Sequence, residues 1–364
     1  MQKICIITVV DSVATTSMPV NEFVLYRHRK NYPFRQELIS CTEGNANDML
    51  ISEDITTHFV GNDKTRMRET LKNIISRCDD REEKTVFHLH AQKSAILFFI
   101  ASFGLGIRKK TLFTIHSTYS GRDLKYKLSS CFCSLMAKYA NCVSNASYNE
   151  YSSFVKRLKA KRMLAIQNGV DYERIIDAIK NLPKHTEVAD KYKMVCVGRM
   201  IPIKNQQFLV KLLKYLPETE LVLIGKEDNE IATLAKEEGV EKRVIMTGLI
   251  PRDEVFQRLN ECGIYVSASL VEGMPVSVLE AMSVGLIPVL SNISPHEEVA
   301  KECLLFHALP LKTELWVQTI KSYQALSDDE FSRLSTSLKQ IVMKNFSLDN
   351  MHNQYNDIYA LLAK

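Results

Sequence analysis

The 364-residue sequence is poor in glycine and proline, with 13 and 10 residues, and holds a single tryptophan. That scarcity, beside 46% hydrophobic residues, excludes collagen-like repeats, low complexity and disorder. No long apolar run is present. The longest, Ala95 to Ile107, is about 13 residues, short of the roughly 20 that span a bilayer. No Gly-x-Gly-x-x-Gly follows either candidate first strand, which argues against a dinucleotide dehydrogenase. Asp-x-Asp is also missing, which fits chemistry without a metal ion. The nine cysteines form no Cys-x-x-Cys pair and sit mostly in apolar strings, so they read as reduced core residues of a cytoplasmic protein. The first ten residues, MQKICIITVV, lack a small-residue cleavage site and read as a first strand rather than a signal peptide.

The net charge of +5 is too small for a dedicated nucleic-acid binder. It conceals an asymmetry, however. Residues 1–170 hold 25 Lys and Arg against 15 Asp and Glu, a surplus of +10, whereas residues 171–364 carry −5. Short β-branched runs alternate with helix-period segments from end to end, the pattern of βα units on mainly parallel sheets. In the first half the expected strands are 4–10, 35–41, 85–88, 110–115, 141–144 and 163–167, with helices near 20–30, 66–78, 92–104, 123–139 and 147–157. In the second half strands are expected at 194–197, 220–224, 244–247, 264–267 and 287–290, with helices near 205–215, 229–238, 251–260, 276–284 and 311–325. This predicts two Rossmann-like, doubly wound α/β domains, 1–170 and 171–345, followed by a C-terminal helix in 346–364. The join falls at the turn signal Asn168-Gly169, followed by a polar segment with Pro183 and no strand pattern.

The most informative stretch runs from Ala268 to Pro288 and includes Glu272-Gly273-Met274-Pro275-Val276-Ser277 and Glu280. It follows a strand and opens a helix, where open α/β sheets bind ligands. Unpaired amides near Met274, Val276 and Ser277, together with the helix dipole, make a site ready for phosphate. Carboxylates beside a phosphate site bind something else, and sugar hydroxyls are natural donors to Glu272 and Glu280. Arg199 and Lys204 follow the first strand of the same half and could neutralise a diphosphate.

On these residues the second half resembles the donor domain of the retaining glycosyltransferases of family 4, of the bacterial surface-polysaccharide type. The resemblance rests on Glu272-x7-Glu280 with its Gly-Met-Pro insert, on Gly198-Arg199…Lys204-Asn205, and on Ala281-Met282…Gly285-Leu-Ile-Pro288. It implies a GT-B fold, two doubly wound domains facing across a cleft with the last helix crossing back to the first. The donor would be a nucleoside-diphosphate sugar, UDP-sugar favoured over GDP-sugar. Arg199 and Lys204 would bind the diphosphate, Glu280 the ribose, and Glu272 the transferred sugar. Amides of Gly273, Met274, Pro275-Val276 and Ser277 would line sugar and phosphate, and Leu249 and Ile250 would flank the base. The nucleotide sugar is a substrate, so neither cofactor nor metal is expected.

The resemblance is thinner in the first half. His116, just past a strand, matches the family's histidine facing the donor sugar, and is assigned a catalytic role beside Glu272, Arg199 and Lys204. His88-Leu89-His90 alternates like strand residues and offers two metal ligands without a third. Where the family has a Gly-rich loop after its first strand, this chain has none, leaving Ser12, Thr15 and Thr16 there. Two basic clusters, Arg108–Lys110 and Lys156–Arg162, suggest an anionic membrane surface and an enzyme peripheral on the inner membrane face. The expected activity is metal-independent, retaining transfer of a hexose to a glycan or lipid-linked acceptor in capsule, O-antigen or exopolysaccharide synthesis. The rival readings are another enzyme on the same fold, such as a sugar-nucleotide epimerase, and a non-catalytic donor-binding subunit.

Overall fold

The computed structural model describes residues 3–13, 18–30, 32, 34–44, 55–119, 121–180, 190–226 and 228–364, with the side chains of 18–22 excepted. Thr15, Thr16 and Pro183 lie outside the described residues. The chain divides into two units, Met1–Asn168 with Leu348–Lys364, and Gly169–Ser347.

The first unit is built on seven parallel strands: β1 (Ile4–Ser12), β2 (Phe34–Thr42), β3 (Thr57–Phe59), β4 (Lys84–His90), β5 (Thr111–Ile115), β6 (Tyr139–Cys142) and β7 (Met163–Ala165), in the order β3-β2-β1-β4-β5-β6-β7. Both faces of this sheet are buried, as a parallel sheet requires. β1 shows it residue by residue: Cys5, Ile7 and Val9 enter one core, whereas Ile4, Ile6 and Val10 enter the other. The period of two that separates them is the pleat itself. β3 was not expected, being only three half-buried residues, Thr-His-Phe, with no apolar alternation to announce it. The expected helix over 147–157 is two short helices, Asn145–Glu150 and Ser153–Lys159, broken where Tyr151 turns extended and Ser152 caps the second.

The last helix, Leu348–Leu362, belongs to this unit and closes its second core with Leu348, Met351, Tyr355, Ile358, Tyr359 and Leu362. It also completes a buried polar chain whose direction can be read from its donors. Arg27 donates from Nη1 to the Tyr359 hydroxyl (3.1 Å), which donates to His88 Nδ1 (2.8 Å). His88 Nε2 then donates to Thr114 Oγ1 (2.7 Å), Thr114 to Asn141 Oδ1 (2.7 Å), and Asn141 Nδ2 to the Tyr355 hydroxyl (2.9 Å). With both ring nitrogens used by Tyr359 and Thr114, His88 is not free to bind a metal.

The second unit carries β8 (Asp190–Val197), β9 (Glu220–Ile224), β10 (Val244–Met246), β11 (Cys262–Ser267) and β12 (Ile287–Leu290), all parallel in the order β10-β9-β8-β11-β12. The polar segment after residue 171 holds the helix Tyr172–Lys180, with Ile175 buried. Further helices at Ser294–Cys303 and Asp328–Asn345 complete the unit. Ser327 opens the latter with a capping box to Glu330. The chain enters and leaves this unit side by side, Val170 N donating to Phe346 O at 2.9 Å.

Two predictions follow from the polar core of the first unit. Tyr359→Phe removes Arg27's acceptor and His88's donor together, leaving buried polar atoms unsatisfied. Denaturant unfolding should show a loss of about 1–3 kcal/mol, and an unchanged midpoint would refute the chain as drawn. Burial also holds His88, His90 and His352 well below the usual histidine pKa, and His116 at about 4. Unfolded, each takes up a proton near pH 6.5 that the folded protein refuses. Stability from these groups is therefore complete above about pH 6.5 and is lost as the pH falls toward their depressed values, by up to ~1.4 kcal/mol per histidine per pH unit. Glu37 acts at lower pH: burial opposes its charge, but His58, Arg35 and Arg77 bring its pKa down to about 2, so its contribution is lost only below about pH 4.5. Melting temperatures at pH 7 and pH 5 check this, and equal values would contradict it.

Candidate functional site

In the second unit the strand order reverses between β8 and β11. A doubly wound sheet offers its crevice at such a point, because the loops leaving the two strands diverge to opposite faces. Those two loops hold the residues singled out in the sequence. After β8 come Gly198 and Arg199 and a single 3-10 turn, Pro202–Lys204, before the helix Gln206–Leu212. After β11 come Ala268 to Pro275 and the helix Val276–Val284, with Pro275 as its N-cap residue.

Two contacts tie the loops together. Leu270 N donates to Ile203 O at 2.8 Å, and Lys204 Nζ donates to Glu272 Oε1 at 2.5 Å. Both charged side chains are mostly buried, at 20% and 13% exposure, so each depends on the other for compensation. Arg199 stands beside them in the same loop, exposed, its guanidinium without an ion-pair or hydrogen-bond partner among the described residues. An anion arriving here meets one uncommitted cation and one that a carboxylate already holds in place.

Glycine at the carboxyl ends of neighbouring strands makes room for this. Gly225, directly after β9, has φ +157, and a Cβ there would lie 2.1 Å from the Gly198 carbonyl oxygen. Gly225 also forms a bridge with Gly248, which follows β10. The segment Thr247–Ile250 is thereby held to the end of β9, with Thr247 N donating to Leu223 O at 3.1 Å. Leu249 is 65% exposed, and Ile250 is half-buried. The sequence reading missed Gly225, although a glycine directly after a buried β-branched strand was the available signal.

One expectation for the helix Val276–Val284 needs correction. The Val276 amide is not open to a ligand, since it donates to Met274 O at 2.9 Å. Gly273, Met274 and Pro275 are buried, while Val276 and Ser277 are half-buried. Ser277 accepts a hydrogen bond at Oγ from the buried Tyr265 hydroxyl (2.8 Å). Glu280 is buried, and it forms an ion pair with Arg252. Arg252 opens the helix Arg252–Asn260 and stacks its guanidinium over Phe256, 4.8 Å from the ring centre. Nothing in the sequence connects residues 252 and 280, because the pairing is made only when their two helices pack. An ionised carboxylate has about four acceptor directions, so Arg252 holds Glu280 in place without using all of them.

His296 is a further site residue that sequence reasoning missed. It lies in the helix after β12, fully buried, with Nδ1 donating to Ser291 O at 2.9 Å. Burial brings its pKa down to about 4, with Glu272 and Lys204 close enough to act on it in opposite directions. Ser-x4-His directly after a strand was its only trace in the sequence.

In the first unit the reversal lies between β1 and β4. β4 ends on His90, and Ala91 follows with φ 77 and ψ 148, a conformation that costs a non-glycine residue strain. Asp11 Oδ1 accepts from Ser94 N at 2.7 Å and Ser94 Oγ donates to His90 O at 3.0 Å, pinning the turn. His116, directly after β5, is half-buried and meets His90 ring to ring, Nδ1 of His90 lying 2.9 Å from Nε2 of His116. Ser12 is the last residue of β1 and half-buried. The basic clusters are less open than expected. Lys159 is buried, with Nζ donating to the carbonyls of Ala137 and Lys138, and burial brings its pKa to about 8. Arg108 and Lys156 also donate to backbone carbonyls, leaving Lys109, Arg157, Lys161 and Arg162 exposed.

Comparison with known proteins bears on the domain and the fold. Residues 177–315 match the family described as "Glycosyl transferases group 1". The chain is 24% identical over 315 residues to the Escherichia coli UDP-Gal:alpha-D-GlcNAc-diphosphoundecaprenol alpha-1,3-galactosyltransferase, covering 79% of each. It is 27% identical over 195 residues to the Xanthomonas campestris GDP-mannose:cellobiosyl-diphosphopolyprenol alpha-mannosyltransferase, spanning about half of each (51% and 49%). A glycosyltransferase from Rickettsia africae ESF-5 superposes with a TM-score of 0.80 at 19% identity over the whole of both chains. Anabaena HepE in complex with UDP and glucose gives 0.78 at 16% identity, covering 98% and 99%. Residues 177–315 thus match the group 1 glycosyltransferase domain, and the chain as a whole has the GT-B fold of these structures.

Proposed function

We propose that the chain is a retaining, metal-independent glycosyltransferase that takes a nucleoside-diphosphate sugar, UDP-sugar before GDP-sugar, and passes its hexose to a lipid-linked glycan of a surface polysaccharide. The observation that carries this reading is the Lys204–Glu272 pair bridging the two loops of the strand reversal, with Arg199 free beside it. A diphosphate would draw Lys204 and Arg199 to itself, and the released Glu272 would accept from hydroxyls of the transferred sugar. Loss of the nucleoside diphosphate leaves an oxocarbenium-like sugar and builds negative charge on the leaving oxygen, where these cations stabilise it. Two cations and a helix N-terminus do what a divalent ion would otherwise do. Glu280, held by Arg252, takes the ribose hydroxyls, and Leu249 and Ile250 flank the base. His116 takes an oxygen of the substrate by hydrogen bond, and no covalent nucleophile is assigned. Among relatives, the galactosyltransferase is named for a UDP-sugar and a lipid diphosphate acceptor, which supports both halves of the proposal.

We assign the acceptor's membrane to the first unit. No helix among the described residues is long and apolar enough to cross a bilayer. Instead, Leu124, Leu128 and Phe132 stand at intervals of four on the helix Leu124–Met136, all exposed, and Phe154 and Leu158 do the same on the neighbouring helix Ser153–Lys159. Exposed Lys125, Arg157, Lys161 and Arg162 accompany them. Apolar side chains with basic neighbours suit an anionic lipid surface, at about 1 kcal/mol per basic residue.

Lys204→Ala and Glu272→Gln should each lower donor turnover about 100-fold or more while the protein melts as a folded chain, and turnover should be equal with magnesium or with a chelator. Near-normal turnover in both variants would remove the assignment, as would dependence on magnesium. Incubation with the donor alone distinguishes an epimerase, which would alter the free nucleotide sugar. For the membrane, Leu128→Glu with Phe154→Glu should abolish sedimentation with anionic vesicles without changing the melting temperature. Binding that persists in the double variant, or that ignores salt, would contradict a mixed apolar and electrostatic surface.

A further inference from the structure

We propose that His90 is a positioning residue: it donates from Nδ1 to His116 Nε2, and so holds His116 in the tautomer that carries its proton on Nδ1, facing the substrate as a hydrogen-bond donor. Only the identity of that substrate rests on the glycosyl-transfer reading; the tautomer is a property of the protein alone.

Between two neutral imidazoles 2.9 Å apart one proton is shared, and it belongs to one ring or the other. If it belonged to His116, His90 would carry its own proton on Nε2. That atom is buried and has no hydrogen-bond partner, so the structure would contain an orphaned N–H. If the proton belongs to His90, Nε2 holds only an unused lone pair. Orphaned buried N–H groups are rarer and costlier than unused acceptors, which decides between the two. The consequence passes to the second ring. His116 Nε2 is then an acceptor, and its single proton must sit on Nδ1, which makes no hydrogen bond with the described residues.

The surroundings fit this role. The His90 ring is held against His88 at 4.0 Å and edge-on to Phe23 at 6.1 Å. Its backbone is fixed by Ser94 Oγ, and Ala91 beyond it is kept at φ 77. A strained turn at a strand end of the sheet reversal marks a place where function over-determines structure. His88 is kept from taking the His90 contact, since Thr114 and Tyr359 use both of its nitrogens. The chemical consequence is definite. A histidine that offers N–H binds an oxygen lone pair, of a hydroxyl or a phosphate, and does not remove a proton from the acceptor.

Long-range nitrogen–proton correlation NMR on histidine-labelled protein reads the tautomer directly, with His116 assigned by the signals lost in His116→Gln. The wild type should show His116 protonated on Nδ1. His90→Asn, whose amide can donate from the place of Nδ1, should keep that pattern, whereas His90→Leu should shift it to Nε2. With a nucleotide sugar, His90→Leu should lower kcat about tenfold or more at nearly constant donor KM, and His90→Asn should restore most of it. His116 found protonated on Nε2 in the wild type overturns the proposal whether or not His90→Leu folds. So does a folded His90→Leu that keeps the Nδ1 proton and full kcat. A wild type with the Nδ1 tautomer that turns over no nucleotide sugar supports the role of His90 and removes the glycosyl-transfer reading instead.

Discussion

The reversal of strand order within each parallel sheet is the constraint from which the site follows. A parallel sheet must send every connection across a face, and where successive strands are added first to one side and then to the other, two loops part and leave an open edge. In the second unit that edge lies between β8 and β11 and collects Arg199, Lys204 and Glu272; in the first it lies between β1 and β4, beside the turn at His90 and Ala91. Neither collection depends on sequence proximity. Lys204 and Glu272 are 68 residues apart and meet because β8 and β11 are neighbours.

This explains how much of the molecule could be read from its sequence. Most strands of the second unit stand where β-branched and apolar runs place them, because they hold buried strings such as the 221–224 run of β9, while the edge strand β10 leaves Ile245 exposed. The loop residues were legible for a related reason: a ligand edge at the end of a parallel strand needs glycine, cations and carboxylates, and the rest of such a fold does not. What could not be read are contacts made only by packing. Arg252 with Glu280, His90 with His116, and Arg27 with Tyr359 each join residues from separate elements, and no local pattern at any of the six positions announces the partner. The short edge strand Thr57–Phe59 escaped for the opposite reason, too little pattern rather than too distant a partner.

The two units handle buried charge differently. In the second, each carboxylate of the site is matched to a cation, Glu272 to Lys204 and Glu280 to Arg252. Breaking such a pair by removing one member costs more than the pair itself contributes, so the carboxylates stay ionised and in place until a ligand takes over one of the partners. The negative balance of residues 171–364 would work against the proposed anionic donor at long range, and its binding would rest on these local cations and on backbone amides.

The first unit contains a buried guanidinium with no carboxylate partner among the described residues. Arg27 lies over the Phe23 ring at 4.2 Å and donates to the hydroxyls of Tyr359 and Thr8. Dispersed over an aromatic face and two hydroxyls, its charge is tolerated because guanidinium is weakly hydrated and planar. Burial, with that charge as a smaller contribution, keeps His88, His90 and His352 neutral. A neutral imidazole has one proton and therefore a direction, whereas an imidazolium has two donors and none. Burial first, with the Arg27 cation adding to it, thus lets a hydrogen-bond chain through His88 have a sense and keeps His90 neutral, so that it can impose a sense on His116. The C-terminal helix, by supplying Tyr355 and Tyr359, closes that chain, and so a helix far along the sequence fixes the protonation of His88 in the middle of the first unit's sheet.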